Sequence, residues 1–176
     1  LDISKKMGDS LAGRFFPFRL YPIDLWELDN FGAGAAGEDW EQNYARLLRC
    51  SGFPEPFLNG DESNYARWAK THLDIILRQD LLDLESVRDI SSIETLISLL
   101  QARVGSTVSY SSFARDLNKD PKTIKHWLSL LENLFVIFRV SPYHKNVARS
   151  LLKEPKYYFY DVARVQGDEG QKLENN

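Results

Sequence analysis

Apolar residues in the second half of the chain repeat first with helical spacing and then as two strand-like runs. Ile and Leu recur at helical spacing over 93–100, and Gly105 ends this helix. A shorter helix over 109–117 follows with Asn118 as its C-cap, and Pro121 begins a longer one. Runs rich in β-branched and aromatic residues come next, at 135–140 and 156–160. This order predicts a winged helix-turn-helix over 92–161.

The first half of the chain predicts helices and one isolated strand. Residues 39–91 read as helical, with a glycine and two prolines interrupting the pattern between 51 and 56. Ser63 or Asn64 is the expected N-cap of the long helix that follows. The alternating apolar stretch 15–21 reads as a strand, yet the following 100 residues offer no partner of similar character. The expected fold class is therefore mainly α with a small β component. Without a partner, the strand at 15–21 is expected either to be mobile or to pair with another copy of the chain.

Charge is distributed unevenly along the sequence. The net charge of the 176-residue chain is -3, but residues 1–100 carry -7, residues 101–160 carry +6 and residues 161–176 carry -2. A basic block inside an acidic chain indicates a local anion-binding surface, and double-stranded DNA is the leading candidate. The alternative is that the basic part simply docks on the acidic part of the same chain.

The second helix of a helix-turn-helix presents its exposed face to the major groove of DNA, and the wing lies beside it. Candidate nucleic-acid-binding residues are Lys119, Lys122, Thr123, Lys125 and His126 around that helix, and Lys145, Arg149 and Lys153 in or beside the wing. A winged helix can also be a protein-interaction module that binds no nucleic acid. Exposure of Trp26, Trp40 and Trp68 would favour that adaptor function.

Signals for other chemistry are missing from the sequence. The chain has three histidines and one cysteine, without the spacing of a metal site, and it lacks a phosphate loop and a nucleophile elbow. We therefore assign no catalytic residue and no metal ligand. No apolar run is long enough for a membrane span and no signal peptide is recognisable, so we expect a cytoplasmic protein without a membrane partner.

Several ordered stretches resemble one family, the AAA-type predicted ATPases of bacteria and archaea that carry the C-terminal domain of unknown function 4143. The matching stretches are 8–15 (GDSLAGRF), 19–22 (RLYP), 52–58 (GFPEPFL), 77–81 (LRQDL), 109–117 (SYSSFARDL), 122–128 (KTIKHWL) and 153–161 (KEPKYYFYD). The resemblance implies that an intact relative binds and hydrolyses ATP with Mg²⁺, and that this chain is a piece of such a protein which is inactive by itself.

The same resemblance divides the chain into four parts. Residues 1–38 would be the last strand and loop of the ATPase core, 39–91 a helical lid-like region, 92–161 the winged helix, and 162–176 the start of a truncated C-terminal domain. Arg14 and Arg78 would then be candidates for nucleotide-facing arginines. Relatives commonly have an acidic residue where this chain has Gln79, which weakens the case for Arg78.

Overall fold

The structure is a computed structural model that describes residues 16, 18–31, 39–81, 89–143 and 153–175. Within these ranges the protein is mainly helical and has one small antiparallel sheet. The α-helices are α1 (Leu25–Phe31), α2 (Trp40–Cys50), α3 (Pro54–Asn59), α4 (Glu62–Ile75), α5 (Ile90–Gln101), α6 (Tyr110–Asp116), α7 (Pro121–Asn133) and α8 (Glu169–Asn175). The remaining elements are a π-helical turn (Ile76–Leu81), strands β1 (Ile137–Val140) and β2 (Lys156–Phe159), and a 3-10 turn (Val162–Arg164).

Helices α1, α2 and α3 pack around a small apolar cluster formed by Leu28, Leu47 and Phe57, and α4 contacts α2 and α3. Aspartates cap two of these helices: Asp39 begins α2, and Asp61 begins α4 by accepting a hydrogen bond from the Ser63 backbone N–H at 3.0 Å. The N-cap of α4 is thus Asp61, and the prediction of Ser63 or Asn64 was wrong. The long helix also ends differently from an ordinary α-helix, because it continues directly into the π-helical turn.

The predicted strand at 15–21 is not observed. Its described residues, 16 and 18–21, have no regular secondary structure, and the side chains of Phe16, Phe18 and Leu20 are almost fully exposed. A strand needs a neighbour to satisfy its backbone groups. Within the described residues, the nearest backbone hydrogen bond of this region comes only at Ile23, whose N–H donates to the Gly52 carbonyl at 2.7 Å.

The second half of the chain has the predicted order of helix, short helix, turn, longer helix and two strands. A core of aliphatic and aromatic side chains from α5, α6, α7 and both strands lies at its centre. Its fully buried members are Ile93, Leu96, Leu100, Phe113, Ile124, Leu128, Leu131, Ile137 and Phe159, together with Leu77 from the π-helical turn.

The turn between α6 and α7 is built around Asn118, as its C-cap signal predicted. Asn118 has a φ of 51°, and the Lys119 and Asn118 N–H groups donate to the carbonyls of Ala114 and Arg115. This is the Schellman arrangement, which closes a helix with one left-handed residue, for which asparagine is well suited. Asp120 then caps α7 and Pro121 occupies its first turn, so the turn places the start of α7 directly beside α6.

Strands β1 and β2 pair in antiparallel register, with Ile137 opposite Phe159 and Val140 opposite Lys156. On the other edge of β2, Thr107 forms an isolated antiparallel bridge with Lys156, and the Val108 N–H donates to the Pro155 carbonyl at 2.8 Å. The segment between α5 and α6 therefore adds a very short third member to the sheet.

Helix α8 packs against the sheet and closes the rest of that edge. The buried Asn175 side chain accepts from the Phe159 N–H and donates to the Phe159 carbonyl, both at 2.7 Å, as a neighbouring strand would. Glu174 binds Lys156 at 2.9 Å in the same region. Within the described residues, the part of 162–176 that forms α8 is thus joined to the strands of the preceding module.

Candidate nucleic-acid interface

Helix α7 buries one face and exposes another that carries positive charge. Ile124, Trp127, Leu128 and Leu131 point into the core, whereas Lys122, Lys125 and His126 are exposed and Thr123 is half-buried. Asp120 fixes the start of the helix by accepting from the Lys122 backbone N–H at 2.7 Å. The spacing of residues 122, 125 and 126 keeps these side chains on adjacent positions of one helix face.

Lys119 occupies a different environment from the lysines of α7. Its Nζ lies 2.6 Å from the Asp89 carboxylate, which also caps α5. The hydrogen bond from Lys119, together with that from Ser92, lowers the pKa of Asp89 to about 2. Lys119 therefore joins the turn before α7 to the start of α5 and is engaged within the protein.

Other cations of the basic block also lie near carboxylates. Arg103 binds Asp116 at 3.3 Å, Lys156 binds Glu174 at 2.9 Å, and the Arg139 Nε lies 3.7 Å from Glu132. Lys122, Lys125 and Lys153, by contrast, have no ion-pair partner among the residues that the structure describes. These three lysines and Arg115 on α6 are exposed and have no ion pair there, and Arg139 is held only loosely by Glu132.

An open pocket with a volume of about 220 Å³ lies between α7, the start of α6 and the hairpin. Lys125, Arg139 and Lys153 line it, together with the serines at 109 and 111 and one carboxylate, Glu154. We refer to it as the basic pocket. It joins three cationic side chains from three separate segments of the chain.

Backbone pairing explains how these segments meet. The Thr107–Lys156 bridge and the Val108–Pro155 hydrogen bond hold the start of α6 beside the segment that enters β2. The hydroxyls of Tyr110 on α6 and Tyr157 on β2 also lie 3.1 Å apart. Burial and the Tyr110 contact raise the pKa of Tyr157, so its hydroxyl stays protonated at neutral pH.

Sequence reasoning identified Lys125 and Lys153 but missed Arg139 and the two serines of the basic pocket. The available signal was the position of Arg139, a lone charge inside the otherwise apolar run 135–140. Such a residue must reach water or a partner at the sheet surface. Ser109 and Ser111 gave only a helix-start signal, and their contribution depends on the long-range bridge between Thr107 and Lys156.

The remaining predicted site residues lie elsewhere. Arg78 is exposed in the π-helical turn and binds Asp74 on α4 at 2.5 Å. Lys145, Arg149 and Arg14 lie outside the described residues. Of the three tryptophans that would favour an adaptor, Trp26 and Trp40 are exposed, whereas Trp68 is half-buried between Phe53 and His72.

The described part of the chain lacks two further kinds of feature. No group of three or more His, Cys, Asp and Glu side chains is arranged to hold a metal ion. No helix there combines the length and the apolar character that crossing a membrane requires.

Comparison with known proteins gives relatives without a described activity. An uncharacterised protein of Haemophilus influenzae is 24% identical over 165 residues, which is 90% of this chain and 41% of the relative. An uncharacterised protein of Mycobacterium tuberculosis is 24% identical over 179 residues, covering 99% of this chain and 38% of the relative. The chain thus spans about two-fifths of the length of these relatives. No solved structure matches it significantly.

The expected membership in the AAA-type ATPases with domain of unknown function 4143 was wrong. The family model that matches is a different one, and it covers residues 41–166, which include all of α3 to α7 and both strands. The ATP, Mg²⁺ and arginine roles inferred from that resemblance therefore lose their basis. The chain belongs to the family of the domain of unknown function DUF8612.

Proposed function

We propose that residues 90–159 are a winged helix-turn-helix that binds double-stranded DNA, with α7 as the helix that faces the major groove. Three features support this proposal. A four-residue turn joins α6 to α7, a two-stranded hairpin follows α7, and the Thr107 bridge supplies the short strand between the first two helices. This connectivity is typical of winged helices.

The observation that carries the proposal is which cations bind carboxylates of the protein and which do not. Lys119, Arg103 and Lys156 bind carboxylates of the protein, whereas Lys122 and Lys125 on the exposed face of α7 bind none among the described residues. Exposed cations without internal partners can neutralise phosphates and release counterions, which supplies most of the affinity of nonspecific DNA binding.

The residue types favour recognition of the DNA backbone over recognition of bases. A lysine ammonium acts as a point charge, whereas the bidentate fork that reads guanine edges belongs to arginine. The exposed face of α7 carries lysines and a histidine, and no arginine. We therefore propose weak binding, mainly through phosphates, with little sequence preference.

The test is a fluorescence-anisotropy titration of a labelled 20-base-pair duplex with the wild-type chain at about 50 mM and about 100 mM salt. Lys122→Glu should weaken binding by about tenfold or more, because it removes a phosphate contact and adds a repulsive charge. Lys70→Glu is the matched control, since Lys70 is exposed on α4 and the change in net charge is the same. It should change the Kd by less than about threefold, because Lys70 is not on the helix that is proposed to face the DNA.

Two results would contradict DNA binding through α7. One is wild-type protein that shows no binding at tens of micromolar concentration and about 50 mM salt. The other is an equal loss of affinity in the two charge-reversal variants, which would indicate attraction by overall charge without a role for α7.

A second candidate function is protein interaction, and the exposed apolar residues near the start of the described chain favour it. Phe16, Phe18 and Leu20 expose nearly their whole side chains, and Trp26 and Trp40 are largely exposed as well. An apolar stretch of this kind is often covered by a partner, and a second copy of the chain could use it as an added strand. Sedimentation velocity would then show a concentration-dependent dimer that Phe18→Asp abolishes. A wild-type chain that stays monomeric at about 100 μM would exclude pairing with a second copy.

A further inference from the structure

We propose that the basic pocket holds one phosphodiester group of the DNA backbone, between the groove-facing helix and the hairpin. The inference rests on the proposed DNA binding and adds to it a defined phosphate site. Its members are Lys125 on α7, Arg139 on β1, Lys153 before β2, and the serines at the start of α6.

The composition of the pocket suits a phosphate. The ammonium groups of Lys125 and Lys153 and the guanidinium of Arg139 donate hydrogen bonds, and the hydroxyls of Ser109 and Ser111 can do so as well. A phosphodiester carries one negative charge on oxygens that only accept. A volume of about 220 Å³ is also much larger than one water needs, so a tetrahedral anion fits.

Two carboxylates lie close enough to oppose the anion. Glu154 lines the pocket. The carboxylate of Glu132, a residue of α7, lies 3.7 Å from the Arg139 Nε. That distance is longer than a hydrogen bond, and Lys125 and Lys153 have no ion-pair partner among the described residues. The lining therefore keeps an excess of positive charge, and Glu154 lowers the affinity that the cations alone would give.

The position of the pocket fits the phosphate assignment. A duplex whose major groove receives α7 presents its two phosphate backbones at the edges of the groove. The pocket lies at one side of α7, where Lys125 meets the hairpin, so a backbone that passes this side would place a phosphate in it. The bridge between Thr107 and Lys156 holds the start of α6, with its serines, beside the segment that carries Lys153.

A variant of Ser111 distinguishes a phosphate that is hydrogen-bonded in the pocket from a phosphate that is only attracted by charge at a distance. Ser111→Ala removes a donor without changing any charge, and alanine is well tolerated in a helix. We expect it to weaken DNA binding by about tenfold, because a hydrogen bond to a charged group is lost. Ser106→Ala is the matched control, since Ser106 is exposed and does not line the pocket, and it should leave the Kd unchanged.

Glu154→Gln supplies a test in the opposite direction. Removing this carboxylate should tighten DNA binding by about threefold or more, since it takes a like charge away from the phosphate. Glu41→Gln makes the same change in net charge at an exposed residue of α2, outside the pocket, and should have little effect. A gain in affinity cannot result from a folding defect.

The outcomes distinguish this inference from the proposed function. Wild-type DNA binding that Lys122→Glu weakens, with Ser111→Ala equal to Ser106→Ala and Glu154→Gln equal to Glu41→Gln, would overturn the phosphate site and leave the α7 interface intact. Failure of the wild-type chain to bind duplex DNA would overturn both.

Discussion

The environment of His72 links the protonation of its ring to the stability of the fold. Its ring stacks on Trp68 with centroids 4.5 Å apart, and its Nδ1 lies 3.3 Å from the Arg164 guanidinium. Burial and the positive charge of Arg164 lower the pKa of His72 below 6.5, while Asp161 opposes this shift. The neutral imidazole is therefore the form that the folded protein prefers.

We predict that stability falls as pH decreases below about 6.5. A histidine of the unfolded chain titrates near 6.5, so between this value and the lower folded pKa the unfolded state binds more protons. The contribution of His72 is thus complete above pH 6.5 and is lost on acidification. His72→Phe keeps a ring against Trp68 and should flatten this part of a pH series of urea midpoints. His126→Gln, at an exposed position, should retain the wild-type slope; the same slope in His72→Phe would exclude His72 as its source.

Because Lys119 forms an ion pair with Asp89, we expect this lysine to have a role in stability and not in DNA binding. The Lys119 and Asp89 side chains are each about one-third exposed, at 33% and 35%. An ion pair in such a position contributes little, so we predict that Lys119→Ala costs about 0.5 kcal/mol of unfolding free energy. The variant should also raise the pKa of Asp89 from about 2 towards 3.8, which carboxyl chemical shifts would report. Because the lowered pKa stabilises the fold above pH 3.8, the wild-type advantage should disappear as pH falls towards 2.

At the scale of elements, α8 stabilises the sheet through one side chain. Asn175 pairs with both backbone groups of Phe159, which are buried. Asn175→Ala should leave both groups unsatisfied and cost about 2–4 kcal/mol in a chemical denaturation curve. Asn175→Asp keeps the acceptor but places a carboxylate beside the buried Phe159 carbonyl, so we expect a loss at least as large near neutral pH. Asn133→Ala, at the exposed end of α7, should change stability by less than about 0.5 kcal/mol; an equally small effect of Asn175→Ala would show that water replaces the amide.

Elements whose signals are local were predictable from the sequence. Asn118 and Pro121 mark the turn between α6 and α7, and the apolar spacing from Ile124 to Leu131 sets the buried face of α7. Both signals act within a few residues of the structure that they specify. The same spacing gave the exposed lysines of the candidate interface correctly, because a helix that buries one face exposes the other.

Features that depend on distant partners were not predictable. The segment 15–21 has strand-like alternation, but alternation does not supply a neighbouring strand, and none is observed. The buried contacts of Asp161 with Arg164 and with Tyr65, 96 residues earlier in the chain, gave no recognisable pattern. The basic pocket likewise depends on the bridge between Thr107 and Lys156, which no local sequence motif indicates.

At the scale of the whole molecule, the ion pairs indicate whether the basic block binds the acidic first half of the same chain. If residues 101–160 docked on the acidic residues 1–100 through charge, ion pairs would join the two parts. Among the described residues, the Lys119–Asp89 pair does so, whereas Arg103, Arg139 and Lys156 bind carboxylates located after residue 100. The ion pairs thus give internal docking little support and favour an external anion for the remaining lysines.

The salt dependence of DNA binding measures how many of these cations reach phosphates. The described candidates are the four residues Lys122, Lys125, Arg139 and Lys153. With about -0.9 per phosphate contact, four contacts give a slope of log K against log salt of about -3.6. Lys122→Ala combined with Lys125→Ala should flatten this slope by nearly two units and weaken binding to unrelated duplexes about equally, because phosphate contacts carry no sequence information.

The matched control for this measurement is the double variant Arg67→Ala and Lys70→Ala, which removes two exposed positive charges from α4. It lowers the net charge of the chain by the same amount, so a general electrostatic effect would flatten both slopes alike. We expect the control to keep a slope of about -3.6, because counterions are released only where a cation contacts the DNA backbone. A wild-type slope near zero, or equal slopes in the two double variants, would show that α7 does not contact phosphates even if the chain binds DNA.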